Sequence, residues 1–519
     1  MTRDVLIGVD AGTSVIKSEA FSLAGKQLDA FAIPNSYDTL PEGGVEQDMA
    51  RTWADCAASL RGLAERVPGL AARACAIAVT GQGDGTWLID KAGQPVGGGW
   101  LWLDARAAAI IDGLRSSAVG ARHFAISGCG LAACQQSGQL LWMRGREPER
   151  LARAAAAFHC KDWLYLNLTG VCATDPSEAL FTFGDFRRRA YSEDAIANLG
   201  LVPQRGLLAP ILDGMATQHT LTPEAAKATG LLAGTPVVLG YVDVICTALG
   251  AGLYDPAGGA GCSVVGSTGM HMRLAKSAAD VALNADCTGY TMPFPAPGMY
   301  AQMQSNMAST LNIDWLIDLA RGILAEAGVP RSRADIIAGL DAQVLAARPA
   351  QILYHPYISE AGERGPFVDP SARASLIGLS QRHAFGDLAR AVYEGLAFAA
   401  RDCYGAMGAV PAEVRLTGGA ARSKALRRIT GAALNTKLRA SAREEAGAAG
   451  AAMMAAVALG QYATMDDCVA DWVTPLLGEA EAPDADLAAL YAAQFPAYQR
   501  SRQALAPTWR ALAQTRRLP

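Results

Sequence analysis

The run Val5-Leu6-Ile7-Gly8-Val9-Asp10-Ala11-Gly12-Thr13-Ser14-Val15-Ile16-Lys17 constrains the fold of this chain more than any other segment. Its first three residues are continuously apolar, the pattern of a fully buried strand. That strand delivers an acid and then a Gly-Thr-Ser turn. The glycines let the backbone turn tightly, so that successive N–H groups can point at phosphate oxygens. Thr13 and Ser14 add hydroxyl donors, and Asp10 can hold Mg²⁺ through its water shell. Taken alone, the same residues suit a plain β-turn equally well. They do not form the Walker pattern, Gly-x-x-x-x-Gly-Lys-Ser/Thr opening a helix. A looser version recurs about 250 residues on, where the small, apolar Gly261-Cys262-Ser263-Val264-Val265 leads into Gly266-Ser267-Thr268-Gly269. Two such loops, one in each half, would face each other across a cleft and grip a nucleotide triphosphate from both sides.

Strand-like runs alternate with helical patterns along the chain, which predicts an α/β architecture. Residues 76–80 and 236–240 read as buried strands, ending at Gly81-Gln82-Gly83-Asp84-Gly85 and at Tyr241-Val242-Asp243. Helices are predicted over 49–66 with Asp48 as N-cap, over 387–407 and over 446–459. A chain of 519 residues has room for roughly two to four domains and a cleft between them. The predicted division is 1–249 and 250–519, with Gly250-Ala251-Gly252 as a hinge and a helical, Ala- and Arg-rich tail.

Charge and cysteine usage narrow the partners. The net charge of −4, with no long basic stripe, argues against nucleic acid and membrane surfaces. The longest apolar stretch, 447–460, is too short to cross a bilayer and reads as a buried helix. The opening Met-Thr-Arg-Asp does not read as a secretion signal. Eleven scattered cysteines without a Cys-x-x-Cys pair fit free thiols in a reducing compartment, and six histidines without i,i+4 spacing offer no transition-metal site. The expected setting is the cytoplasm and the expected partner a small molecule.

Several further motifs, in order, carry a resemblance. Lys161-Asp162-Trp163-Leu164, Leu168-Thr169-Gly170 and Thr174-Asp175-Pro176-Ser177 form one group. Gly362-Glu363-Arg364 with Pro366, then Gly378-Leu379-Ser380 and Val392-Tyr393-Glu394-Gly395, form a second. Gly418-Gly419-Ala420-Ala421-Arg422-Ser423 follows a strand, and Glu444-Glu445-Ala446-Gly447-Ala448-Ala449-Gly450 opens the late buried helix. With Asp10-Ala11-Gly12-Thr13-Ser14, these resemble the FGGY carbohydrate kinases over residues 4–475 or so. The resemblance implies an α/β fold of two actin-like (ribonuclease H-like) ATPase domains flanking a deep interdomain cleft. It implies ATP and Mg²⁺ as cofactors, a small-molecule sugar or polyol as partner, and a homodimer.

Residue roles follow from the same resemblance. Asp243 matches the catalytic aspartate, a base for the attacking hydroxyl; by spacing alone it serves equally as an N-cap. Asp10 is expected to hold Mg²⁺ through water, with a turn residue as the bland alternative. ATP is expected on Gly12, Thr13, Ser14 and Lys17, on Gly266, Ser267, Thr268 and Gly269, and on Gly418, Gly419, Ala420 and Ser423. Lys17 suits a solvated strand edge about as well, and Gly418-Gly419 an unliganded turn less well.

The substrate side is expected in the N-terminal half, on Gln82, Gly83 and Asp84 and on Trp102, Asp104 and Arg106, beside Asp243. Polyols need carboxylate, amide and guanidinium partners with an aromatic wall. Alternation in Trp102-x-Asp104-x-Arg106 would put three side chains on one side of an extended segment; the competing reading is a buried Asp104–Arg106 pair that holds a loop. Glycerol kinases carry Arg-Glu after the Gln and D-xylulokinases Met-His, whereas this chain has Gly83-Asp84. Gly83 is expected to make room. The segments 81–85 and 100–106 are most similar to the branch acting on erythritol and L-xylulose. The expected reaction is therefore phosphorylation of a small linear polyol or ketose, with erythritol first and L- or D-xylulose or another pentulose as the alternative. A catalytically silent sugar sensor on the same fold is the non-enzyme reading.

Overall fold

A computed structural model describes residues 3–516. In the N-terminal half, β1 (Val5–Ala11), β2 (Val15–Ser22), β3 (Gln27–Pro34), β4 (Ala74–Gly81), β5 (His219–Thr220) and β6 (Pro236–Leu239) form one sheet in the order β5-β6-β4-β1-β2-β3. In the C-terminal half, β7 (Ala260–Val265), β8 (Gly269–Ala275), β9 (Tyr290–Pro293), β10 (Tyr300–Asn306), β11 (Glu413–Thr417) and β12 (Lys437–Ala440) form another in the order β9-β10-β8-β7-β11-β12.

The two sheets repeat one plan. β1 runs antiparallel to β2, and β2 to β3, while β1–β4 and β4–β6 are parallel. Likewise β7 runs antiparallel to β8, and β8 to β10, while β7–β11 and β11–β12 are parallel. Loops 12–14 and 266–268 are thus the same turn, joining the first two strands of each sheet. β1 outlasts its apolar run because Asp10 and Ala11 go on pairing with Lys17 and Ile16. Val5, Leu6, Ile7 and Val9 are fully buried, as both faces of a central strand should be.

Six helices matter here: α1 (Met49–Arg66), α2 (Cys160–Thr169), α3 (Pro176–Phe183), α4 (Asp243–Ala251), α5 (Phe385–Ala406) and α6 (Ala446–Ala458). Asp48 caps α1, accepting from the Arg51 N–H at 3.0 Å. α5 starts two residues before its predicted position because Asp387 sits inside the first turn, reaching back to the Ala384 N–H at 2.9 Å. The tail is helical over Ala485–Thr515 and anchors through the buried Tyr491, Tyr498 and Trp509.

α4 and α6 cross between the two sheets on a seam of small residues. A β-carbon on Gly250 would fall 2.1 Å from the Ala446 carbonyl oxygen, and one on Gly450 would fall 1.9 Å from that of Cys246. One on Gly8 of β1 would fall 2.2 Å from the Ala448 oxygen. This close approach explains why the late helix is almost wholly Ala and Gly, and why residues 446–456 are all buried. Leu6, Ile245, Leu249, Met453 and Trp472 belong to a single core cluster with them. Gly250 and Ala251 are helical and packed, and the chain leaves α4 at Gly252, whose φ is +99°. No helix among the described residues is long and apolar enough to cross a membrane, and all eleven cysteines are free.

Candidate active site

A cavity of about 260 Å³ opens between the halves, bordered by Thr13, Gly83, Asp84, Trp102 and Asp243 on one side and by Thr268, Tyr290 and Arg364 on the other. Phe181, Val242, Met270, Met292 and Met303 give it an apolar face. The substrate-side residues were expected in the N-terminal half; the wall in fact takes Tyr290, Arg364 and three methionines from the C-terminal one.

Asp243 is the first residue of α4, one position inside the cap at Val242. It does not act as an N-cap: its Oδ1 accepts from the adjacent Val244 N–H at 2.7 Å. Burial, reinforced by the charge of Asp10, pushes its carboxyl up to about 8. A buried relay fixes the turn before it. The Val242 N–H donates to Ser177 Oγ at 2.9 Å, and the Ser177 hydroxyl donates in turn to Asp175. Lys161 Nζ holds Asp175 at 2.5 Å and Asp162 at 2.7 Å. Lys161, Asp162 and Asp175 have no exposed side-chain surface, so each charge depends on the others.

Around the first phosphate-type loop, Thr13 Oγ1 donates to Gln82 Oε1 at 2.9 Å and accepts from Trp102 Nε1 at 2.8 Å. Gln82 Nε2 donates to Gln47 Oε1 at 2.8 Å. Gln82 is 3% exposed and does not border the cavity, which corrects its expected contact with substrate: both ends of its amide are engaged, and it orients Thr13. Asn35 braces the same loop through the carbonyls of Gly12 and Ser14. In the second loop, the N–H groups of Ser309 and Thr310 donate to the carbonyls of Ser267 and Gly266 at 2.7 and 3.0 Å. Gly269 already belongs to β8. Thr13 and Thr268 border one cavity, so the two loops do converge.

Lys17 is not a solvated edge residue. Its Nζ donates to both carboxylate oxygens of Glu445, at 2.6 and 2.7 Å, bridging the halves. Asp10 lies beside this pair with its Oδ2 against Gly447, and burial raises its carboxyl to about 6. Three carboxyl groups, of Asp10, Glu445 and Asp243, stand here with the single ammonium of Lys17, and their mutual repulsion helps to raise Asp10 and Asp243, a crowding that a cation would relieve. Among the described residues no three His, Cys, Asp or Glu converge as a metal cage. The donor set suits Mg²⁺ held by a carboxylate, water and phosphate oxygens.

Gly418 and Gly419 border a different cavity, about 890 Å³, with Thr417, Arg422, Ser441 and Glu444. Gly418 is required by packing as well: its φ is +94°, and a β-carbon would fall 2.6 Å from the Val265 oxygen. Ala420 lies in the short turn Gly419–Arg422. Ser423 caps the next helix, accepting from the Leu426 N–H at 3.1 Å and donating to Asp341 at 2.6 Å.

On the substrate side, Asp84 has φ +57°, a left-handed conformation rare outside glycine. Its Oδ2 receives the weakly donating Cys134 thiol at 3.4 Å and a long contact, also 3.4 Å, from Tyr290 OH, and its buried Oδ1 has no partner. Burial holds its carboxyl above the usual range. Gly83 was expected to make room, and it does not. A β-carbon there would meet Val242 at 2.4 Å and Glu178 at 3.0 Å, so the space is already filled.

The segment around Trp102 is not extended. Residues 102–103 and 106–107 form turns, so strict alternation fails. Trp102 borders the cavity, but Asp104 and Arg106 do not. Asp104 accepts from the Val45 N–H at 2.8 Å and pairs with Arg106 at 2.7 Å. Arg106 also reaches Glu46 at 3.0 Å and stacks 3.3 Å above the Trp100 ring. These contacts consume both side chains, which corrects their expected substrate role: they hold the loop. Lys161, Asp175, Ser177, Glu178, Tyr290 and Arg364 went unassigned. The available signal was a Lys-Asp pair within Cys160-Lys161-Asp162-Trp163-Leu164-Tyr165, where charges amid apolar residues imply buried partners.

Comparisons with known proteins give the family of the chain. The model for the N-terminal domain of the FGGY family of carbohydrate kinases matches residues 5–250, and that for the C-terminal domain matches residues 261–459. The chain is 57% identical over 510 residues to a Brucella abortus (strain 2308) protein named erythritol kinase, covering 98% of each. It is 25% identical over 509 residues to the L-xylulose/3-keto-L-gulonate kinase of Escherichia coli (strain K12), covering 96% of this chain and 97% of that one. The crystal structure of a xylulose kinase from Rhodospirillum rubrum matches with a TM-score of 0.87 at 26% identity, over 98% of this chain and 100% of the other.

Proposed function

This chain belongs to the FGGY family of carbohydrate kinases, and from that premise we propose that its acceptor is erythritol or a closely similar small linear polyol. The enzyme is an ATP-dependent phosphotransferase with an alcohol group as acceptor, on a two-domain α/β fold. The observation that supports the reading most is the cavity itself. Asp243, one threonine from each phosphate-type loop, and the strained Asp84 all border it.

In this reading Asp243 accepts the proton of the attacking hydroxyl. Phosphoryl transfer asks mainly for positioning and charge neutralisation, and a base within hydrogen-bond reach contributes about 10²–10⁴-fold. The relay from Lys161 to Val242 holds that base in place. Gly12, Thr13 and Ser14 face Gly266, Ser267 and Thr268 across the transferring phosphate, and Gly418 and Gly419 let the backbone approach the adenosine. Lys17 supplies positive charge beside them. Asp10 would hold Mg²⁺, which would supply neutralisation of phosphate charge when bound. Asp84 and Trp102 contact the acceptor, and the apolar face covers its C–H edges. We assign residues 1–249 and 250–519 to the two domains, and place the enzyme in the cytoplasm with its ATP, as a homodimer.

A coupled ADP-release assay with Mg·ATP against erythritol, L-xylulose, D-xylulose, ribitol, L-ribulose and glycerol tests the substrate. Erythritol should exceed the others in kcat/KM by about tenfold or more, a gap of about 1.4 kcal/mol in transition-state binding. A pentulose ahead of erythritol would replace this acceptor with the xylulose alternative. Intact nucleotide binding without turnover on any of them would favour a sensor.

A further inference from the structure

Arg364 stands in the wall between two cavities. It borders the one that contains Asp243 and also a second, about 230 Å³, which shares Tyr290 and Ser305 with the first. Its Nε is buried and has no hydrogen-bond partner. Arg106, Arg390 and Arg415 are tied down by carboxylates, and Arg273, Arg373 and Arg443, whose Nε atoms are also unpaired, still donate through terminal nitrogens to backbone carbonyls. A buried guanidinium N–H without an acceptor is costly, and such a cost is tolerated where a ligand supplies the acceptor.

Asp84, from the opposite half, has the complementary deficit. Its Oδ1 is buried without a donor, and its Oδ2 has only a weak thiol donor and one long hydroxyl contact. A left-handed backbone holds this under-used carboxylate in place, which is the kind of strain that collects at ligand sites. Opposite charge couples the two residues, since the Arg364 guanidinium opposes the upward shift of Asp84. One needs donors and the other needs acceptors. A hydroxyl is both, so adjacent hydroxyls on a short carbon chain satisfy the two together.

We propose that Arg364 is a specificity-determining residue that, together with Asp84, grips the hydroxyls at the non-reacting end of the acceptor. The acceptor is then read by both halves of the protein at once. Tyr290, with its hydroxyl already turned to Asp84, closes the same end. This inference rests on the polyol reading above and deepens it.

The test uses Arg364→Gln, with Arg364→Lys as a second variant if the first melts early. Acceptor and nucleotide binding are measured separately by calorimetry, and KM by the ADP-release assay, on whichever acceptor the wild type uses best. The expected result is an acceptor Kd and KM raised about tenfold or more, with the nucleotide Kd within about twofold of wild type. A deoxy analogue of the acceptor, lacking one far hydroxyl, should lose affinity on the wild type but little further on Arg364→Gln. Unchanged acceptor affinity overturns the proposal, as does a weakened nucleotide with an unchanged acceptor, which would place Arg364 on phosphate. If a pentulose proves to be the acceptor, the erythritol reading fails while the Arg364 comparison is still decided on that sugar. If no acceptor binds the wild type, both fail.

Discussion

The indole N–H of Trp102 donates to the hydroxyl of Thr13 at 2.8 Å, so a single hydrogen bond ties the aromatic wall of the acceptor cavity to the first phosphate-type loop. Gln82 and Gln47 extend the chain behind it. On the proposed reading, the acceptor and phosphate sites are therefore not independent. Trp102→Phe keeps an aromatic, though smaller, ring and removes the donor, freeing Thr13 to turn. The expected outcome is a rise of about three- to tenfold in KM for both nucleotide and acceptor, the scale of one lost hydrogen bond. Steady-state kinetics with each substrate varied in turn would read it, and a change confined to the acceptor would show that the bond does not couple them.

Asp243→Asn should lower kcat by about 10² or more while leaving nucleotide affinity nearly intact. It should also stabilise the fold. The carboxyl is raised to about 8 in the folded protein and titrates near 4 when unfolded. Between those values the folded state binds a proton that the unfolded state has released, so stability falls as pH rises through the window. Asparagine removes that penalty, worth at most about 1.4 kcal/mol per pH unit. Thermal melts should show the variant's advantage growing from pH 5 to pH 8 and vanishing near pH 4.

The same shift sets a pH–rate profile. A base must be ionised to act, so kcat/KM should climb with pH, reach half its maximum near 8 and level off about one unit above. A profile already flat from pH 6 upward would mean that a different group limits the reaction, and residual activity of Asp243→Asn should lack the limb altogether.

Asp104→Asn should act on stability rather than on substrate. It leaves Arg106, 6% exposed, without its close partner, and a broken buried pair costs about 3–5 kcal/mol. A large drop in Tm with an unchanged ranking of acceptors is expected from a denaturation scan beside the substrate panel.

Two glycine substitutions should diverge. Gly450→Ala forces a methyl group into the Cys246 carbonyl and should cost about 1–3 kcal/mol or more, with lowered kcat, because α4 carries Asp243. Gly322→Ala, inside the helix Thr310–Glu326 with nothing within 4 Å, should stabilise by about 0.5–1 kcal/mol. Melting both variants side by side separates crowding from helix propensity.

What could be read from the chain was whatever neighbours in sequence decide. The apolar run before Asp10, the cap at Asp48 and the bounds of α1 are local, and the two loops announced the repeated sheet. The Asp104–Arg106 pair turns on Val45, Glu46 and Trp100, which arrive from other strands, so spacing alone could not choose between pocket and brace. Gly83 looked like empty space because Val242 and Glu178, which fill it, lie far along the chain. Tyr290 and Arg364 reach the cavity only because the halves fold over one another, and no periodicity records that.

The glycine seam between α4 and α6 has a mechanical consequence. Asp243 opens one of the crossing helices, and Gly447, against Asp10, lies in the first turn of the other. If the halves rock about that crossing, the groups beside it sit on the fulcrum and travel least, while the adenosine end and the outer wall swing on longer arms. Such a fold would keep Asp243 and Asp10, its proposed base and cation ligand, in nearly fixed relation through an opening, and would confine large motion to the parts that must let molecules in and out.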